Sequence, residues 1–254
     1  FKEISGSISF TINGVTVSKE PNAEGNYVIS SAELNVLHVK SDNYTISADV
    51  SNLIRKVGDV ENDYVFAADN SSVKVNPRPI SITGKPGFGV EKAYDATINT
   101  TDSNKAAIKT AGNYVIGDVP GISESGEYGS DKVYLDSCSS AYSQSAATDY
   151  CLVYVTNCKI NKPDYYLYNT SYDISGKISA RHIRIVADNK TKVYGEEDPA
   201  FTWKAYDTNG IQLTKSVSDT LIVDISRSDG ETVTGSPYEI TVSAPDGSNP
   251  SFII

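Results

Sequence analysis

Methionine is absent from the 254 residues, tryptophan occurs once, histidine twice and cysteine three times. The cysteines, Cys138, Cys151 and Cys158, fall in no CxxC spacing and have no histidine near them in sequence. A zinc site, which needs four clustered nitrogen or sulfur ligands, is therefore a poor reading. Basic residues are also short, 22 Lys and Arg against 32 Asp and Glu, for a formal net charge of -10. Such a surface repels phosphate backbones and anionic lipid, which argues against nucleic-acid or membrane binding; it suits a protein kept soluble outside the cell. No run approaches the 18 apolar residues of a membrane-spanning helix. Phosphate-cradling GxxxxGKS and GxGxxG, metal-binding HExxH and the nucleophile motif GxSxG do not occur. No catalytic residue, metal or cofactor is expected.

What the chain has in quantity is tyrosine, 17 residues of it, together with many Ser, Thr, Val and Ile, residues that suit a pleated, half-buried surface. Short stretches alternate with period two, the mark of half-buried strands. Examples are Ile8, Phe10 and Ile12; Leu34 and Val36; Tyr44, Ile46 and Ala48; Tyr64 and Phe66; Val73 and Val75; Ile80 and Ile82. Later come Val133 and Leu135, Leu152 and Tyr154, Ile183 and Ile185, then Phe201, Trp203 and Ala205, then Tyr238, Ile240 and Val242. Turn-formers such as Asn13-Gly14, Asp207 to Gly210 and Asp229-Gly230 separate them. Helix is expected only as a turn or two in 104–112 and in 139–150. The fold class is all-β: tandem small β-sandwich or β-grasp-like modules arranged end to end, with little helix.

Residues 62–82 and 163–185 resemble each other, each with an Asp-Tyr pair, two alternating strands around a polar bend, and a β-branched strand led by a basic residue. An offset near one hundred residues suits a modular array. The expected modules are 1–78, 79–179 and 180–254, the first and last incomplete. The chain opens at Phe1 inside a predicted strand and is expected to be a piece of a longer protein.

At the second junction, RIVADNKTKVYGEEDPAFTW (184–203) places Lys192, Tyr194, Gly195, Asp198 and Pro199 in a Lys-x-Tyr-Gly-x-x-Asp-Pro pattern, and GETVTGSPYEITV (230–242) follows. This resembles the MBG domains of bacterial surface proteins, with Ser236-Pro237 as a departure. KAYDAT (92–97) resembles the opening of the related YDG domain, with Ala96 where that family has glycine. The resemblance implies tandem repeats of a large extracellular adhesin on a bacterial cell surface, monomeric and partnered by neighbouring repeats. Physically the motif reads as structure: Gly195 for a positive φ, Asp198 for an Asx-turn, Tyr194 with its ring on the core.

Two features fit a plain stalk least. Tyr166, Tyr168 and Tyr172 offer a candidate binding face for a host glycan or protein, against a simpler reading as cross-strand packing. Cys138, Cys151 and Cys158 allow one disulfide plus a free thiol, or three free thiols; outside the cell, one pair that includes Cys138 or Cys151 is expected. His38 and His182 read as solvated strand residues, and Glu196, Glu197 and Asp198 as loop charge. A non-catalytic region of a large secreted enzyme is a further alternative.

Overall fold

The computed structural model describes residues 3–34, 37–57, 60–61, 66–119, 132–245 and 247–254. They are strand-rich with three short helices, as an all-β fold requires. The expected strand residues Val36 and Tyr64 lie outside the described residues. Packing gathers the chain into two compact units: Phe1–Pro79 with Lys162–Tyr166, and Ile80–Asn161 with Leu167–Ile254.

In the first unit, β1 (Glu3–Ser5), β2 (Ile8–Ile12) and β3 (Val15–Lys19) precede a one-turn helix, α1 (Ser31–Leu34). Then come β4 (Tyr44–Asp49), β5 (Ile54–Val57), β6 (Val60–Glu61) and β7 (Ser71–Val73). One sheet has the order β3-β2-β4-β7, the other β1-β5-β6. Asn13 and Gly14, both at positive φ (50° and 78°), turn β2 into β3 with Ile12 opposite Val15. Positive φ at both central residues matches the twist of a two-residue hairpin, and Asn-Gly tolerates it best. Among the described residues the buried ones are Ile12, Leu37 and Tyr44, with Ile29, Leu34, Ile46, Val73 and Val75 around them.

Leu34 was expected in a strand and ends a helix instead. Ser30 and Glu33 explain the difference: the Glu33 carboxylate accepts from the Ser30 backbone N–H at 2.8 Å and from its hydroxyl at 2.8 Å. This Ser-x-x-Glu capping exchange starts a helix turn and overrides a two-residue alternation.

The mid-chain segment 162–166 contributes Asp164 to this unit. Its carboxylate accepts the Val39 N–H at 2.6 Å and meets His38 Nδ1 at 2.9 Å. Its carbonyl accepts the Arg78 N–H at 2.9 Å.

The second unit begins within β8 (Arg78–Gly84) and continues through β9 (Gly89–Ala93), α2 (Asp102–Lys109) and β10 (Tyr114–Asp118). It resumes with β11 (Leu135–Tyr142) and β12 (Thr148–Ile160), then β13 (Tyr165–Leu167), of which only Leu167 belongs to this unit, and β14 (Tyr172–Ser179). One sheet has the order β10-β8-β13. The principal sheet is β11-β12-β14-β9, antiparallel except that β9 runs parallel to β14. Its inner face carries Val90, Tyr142, Cys151, Val153, Val155, Ile174 and Ile178, all buried. The helix α2 closes over it through Ile108 and Asn104, the latter donating to the Tyr142 hydroxyl at 2.9 Å. Gly176 sits where β14 presses on its neighbours: a Cβ there would stand 2.7 Å from Val153 Cγ2 and 3.0 Å from the Tyr142 ring.

Two expectations are corrected in this sheet. Residues 139–150 form the end of β11, its turn and the start of β12, not helix. In β12 the buried side is Cys151, Val153 and Val155, so Leu152 and Tyr154 face outward. The alternation is real, but the larger aromatic occupies the solvent side.

After β14, with only Ala180 between, β15 (Arg181–Ala187) begins; the expected boundary at 179/180 falls here, inside the second unit. β15 pairs antiparallel with β16 (Trp203–Asp207) and parallel with β19 (Phe252–Ile253). Between them lie α3 (Lys215–Ser218) and the hairpin of β17 (Asp224–Arg227) and β18 (Ile240–Ser243). Ile183, Ala205, Leu213, Val217, Leu221 and Phe252 join the same hydrophobic cluster as the principal sheet. The Tyr94 and Phe252 rings meet edge-on at 5.0 Å, and Ser251 Oγ accepts the Ala147 N–H at 3.0 Å.

Candidate functional site

The Tyr-Gly-Glu-Glu-Asp-Pro loop follows β15. Glu196 N–H donates to the Val193 carbonyl at 3.1 Å, and Gly195 takes φ 87° at the third position of that turn. A type II turn requires positive φ there, which glycine adopts without a steric cost. The turn projects Tyr194 outward, 69% exposed, so its ring does not pack on the core as expected. Val193 beside it is exposed as well.

Asp198 makes ion pairs in place of the expected Asx-turn. It receives Lys192 Nζ at 2.8 Å and Arg227 Nε at 2.7 Å. Glu231 receives the same two cations, Lys192 at 2.7 Å and Arg227 through Nη2. The four side chains close a ring of alternating charge. Arg227 also donates to the carbonyls of Ser228 and Gly230, each at 2.8 Å, and lies 5.5 Å from the Tyr238 ring centre. The ring borders a cleft of about 270 Å³ whose apolar wall is Tyr194, Pro199, Phe201, Pro237, Tyr238 and Ile240. The Ser236-Pro237 bond in that wall is cis.

The electrostatics follow from the ring. Arg227 and then Lys192 hold the Asp198 carboxyl below the usual range; Lys192 and then Arg227 do the same for Glu231. The carboxylates in turn hold Lys192 and Arg227 protonated to higher pH. All four groups are charged at neutral pH and bonded to one another, so none is poised to give or take a proton, as acid–base catalysis needs. Lys192 and Asp198 were visible in the motif. Arg227 and Glu231 were missed, although their opposite charges four residues apart were a readable signal.

A second polar cluster surrounds Lys92, a buried lysine on β9. Its ammonium donates to Asp95 Oδ1 at 2.6 Å and to the carbonyls of Thr97 at 2.6 Å and Asn99 at 3.0 Å. The Tyr142 ring lies 5.1 Å away. Ala96, at the glycine position of the YDG pattern, holds φ 61° in the loop that the lysine gathers. The ammonium is fully engaged by acceptors, as a buried cation must be.

The tyrosines of the expected binding face are distributed differently. Tyr166 belongs to the first unit and Tyr168 to the second, each exposed; Tyr172 is only 9% exposed and lies among core residues. Cys138 lies on β11 and Cys151 and Cys158 on β12, and no disulfide joins them in this structure. His182 points to solvent beside buried Ile183, and His38 is exposed against Asp164. Among the described residues no group of three or more His, Cys, Asp or Glu is placed to hold a metal ion, and no helix is long and apolar enough to cross a membrane.

Residues 183–252 match the family model of the MBG domain (YGX type). The matched stretch runs from β15 to β19 and contains the ring of charges and the cleft. This part of the chain is similar to an MBG-type repeat domain, a non-enzymatic repeat family typical of surface proteins. No curated protein and no solved structure matches the chain.

Proposed function

We propose that the chain is a non-catalytic structural spacer of a bacterial extracellular surface protein of the adhesin type, built of β modules at 1–78, 79–179 and 180–254. The observation that carries this reading is the closed ring of Lys192, Asp198, Arg227 and Glu231 in the matched segment. The conspicuous charged residues of that motif pair with one another and fasten a long loop onto the β17–β18 hairpin. A spacer needs loops that stay closed, not groups free for a substrate. Its partners on this reading are the neighbouring repeats of the same polypeptide, with no cofactor.

The test joins two measurements. Held by its two ends in single-molecule force spectroscopy, the chain should unfold in discrete steps. Immobilised and probed with a broad panel of glycans, mucins and host-type glycoproteins, it should give no saturable binding. Saturable binding, or hydrolysis of a panel member, overturns the spacer reading.

A second reading, glycan binding by the middle region, is favoured by one observation. The outer face of β12 presents Tyr150, Leu152 and Tyr154 next to small neighbours: Tyr154 lies opposite Ala141, Leu152 opposite Ser175, and Ser175 opposite Gly89. Rings standing above small side chains offer a flat surface on which a sugar can stack. Under this reading Tyr154→Ala abolishes binding to a panel glycan without changing the circular dichroism spectrum.

A further inference from the structure

The three cysteines can be separated by strand geometry alone. Cys151 and Cys158 lie on one continuous strand, β12, seven residues apart in sequence. At about 3.3 Å per residue their Cα atoms are roughly 20 Å apart, far beyond the ~7 Å limit for a disulfide. Cys138 lies well along β11 from the point facing Cys151: Tyr142 pairs with Val153, which leaves Cys151 level with the turn beyond the end of β11. That separation is again on the order of 20 Å. Neither pair that includes Cys151 can close.

The remaining pair is placed differently. Ser137 pairs with Lys159 and Ser139 with Thr156, so Cys138 stands opposite the two residues of a bulge, Asn157 and Cys158. Residues directly opposite in an antiparallel pair have Cα atoms about 4.5–5.5 Å apart, within the range a disulfide spans. The ladder shifts register between Ser137 and Ser139, and Asn157 takes φ 54° there. This bulge turns Asn157 outward and leaves Cys158 inward. Cys138 packs against the same hydrophobic cluster that holds Cys158. Both sulfurs therefore point to one face of the sheet.

We propose that Cys138 and Cys158 form a disulfide in the mature protein, clamping the β11–β12 hairpin, and that Cys151 remains the single free thiol. The chemistry is exchange with an oxidant of the disulfide class. The Cys138 thiolate attacks one sulfur of the oxidant and expels its first thiolate, giving a mixed disulfide. The Cys158 thiolate then attacks Cys138 Sγ and expels the second. The two protons lost by the cysteines pass to the two released thiolates, so two protein thiols are oxidised and one oxidant disulfide is reduced. Burial pushes the Cys158 thiol up to about 11, with the neighbouring Cys138 adding to it, and burial raises Cys138 as well. Thiolate is scarce in the closed core and exchange depends on it, so the bond is expected to form as the hairpin folds.

The test uses the full chain refolded in oxidised and reduced glutathione, then alkylated and mapped without reduction. Trypsin leaves all three cysteines on one peptide, because no Lys or Arg lies between Lys132 and Lys159. Chymotrypsin separates them after Tyr142, Tyr150 and Tyr154. The expected map joins the Cys138 and Cys158 peptides and finds the alkyl group on Cys151 alone. Cys151→Ser should keep the link, and Cys158→Ser should leave no intramolecular link. The wild-type and Cys151→Ser chains should both need more denaturant to unfold when oxidised than after reduction. A link through Cys151, or three alkylated cysteines after oxidation, overturns the proposal, and the wild-type map alone decides it even if a variant fails to fold.

Discussion

Ala96 holds a left-handed conformation that glycine adopts far more readily. Since left-handed backbone costs a residue with a Cβ roughly 1–2 kcal/mol, Ala96→Gly should stabilise the second unit by about 1 kcal/mol, read from chemical denaturation. Lys92 nearby works in the opposite direction. Lys92→Met takes the ammonium away from the Thr97 and Asn99 carbonyls and from Asp95, which keeps the Thr97 N–H and hydroxyl as donors. Breaking a buried ion pair costs about 3–5 kcal/mol; Asp95 is partly solvated, which sets the expectation near ~3 kcal/mol. At the ring of charges the effect depends on pH. Asp198 and Glu231 have folded values below their ordinary range, so the unfolded chain takes up protons first as the pH falls. Their contribution is present above the ordinary carboxylate range and is lost on acidification through the depressed folded values. Trp203, the only tryptophan, lies within the matched segment. Its fluorescence should report a stability that declines below the ordinary carboxylate range, with a weaker decline in Arg227→Ala.

Elements were legible in the sequence where one residue pair decides the geometry and obscure where distant strands decide it. Asn13-Gly14 and Gly195 specify their turns locally: the turn expected at Asn13-Gly14 forms, and Gly195 adopts the positive φ that the sequence suggested. The alternations of β2, β4, β8 and β15 likewise placed Ile12, Tyr44, Ile82 and Ile183 in the cores. On β12 the alternation of Leu152 and Tyr154 pointed to the wrong side, since small buried Cys151 competes with large exposed Tyr150 and Tyr154. Only pairing with β11 and β14 selects the inner face. The same holds for the candidate site, where half of the ring stands in a recognisable motif and half arrives from β17 and the loop after it. Close packing in β14 gives an element-scale prediction. Gly176→Ala places a methyl 2.7 Å from Val153 Cγ2, and overpacking of this kind costs about 1–3 kcal/mol. Thermal unfolding should shift downward accordingly, and Gly117→Ala, where the added Cβ meets nothing within 4 Å, should move it less.

Across the whole molecule the two units hold very unequal cores. Among the described residues three buried ones centre the first, while the second gathers a continuous cluster from Ile82 to Phe252. Small cores bury less of the surface that stabilises them, so the first unit should open first. Hydrogen exchange should show the β2 and β4 amides exchanging well before those of β12 and β14. Equal protection in both units would refute this ranking. The first unit is also interrupted: its stretch to Pro79 is completed by Lys162–Tyr166, where Asp164 accepts from Val39 and Arg78 is bound by the Asp164 carbonyl. A chain emerging in sequence order therefore cannot close this unit as soon as Pro79 is made. That unit has to wait, open, until the β11–β12 hairpin has been synthesised and the segment beyond it arrives, so its closure is timed by residues made some eighty positions later.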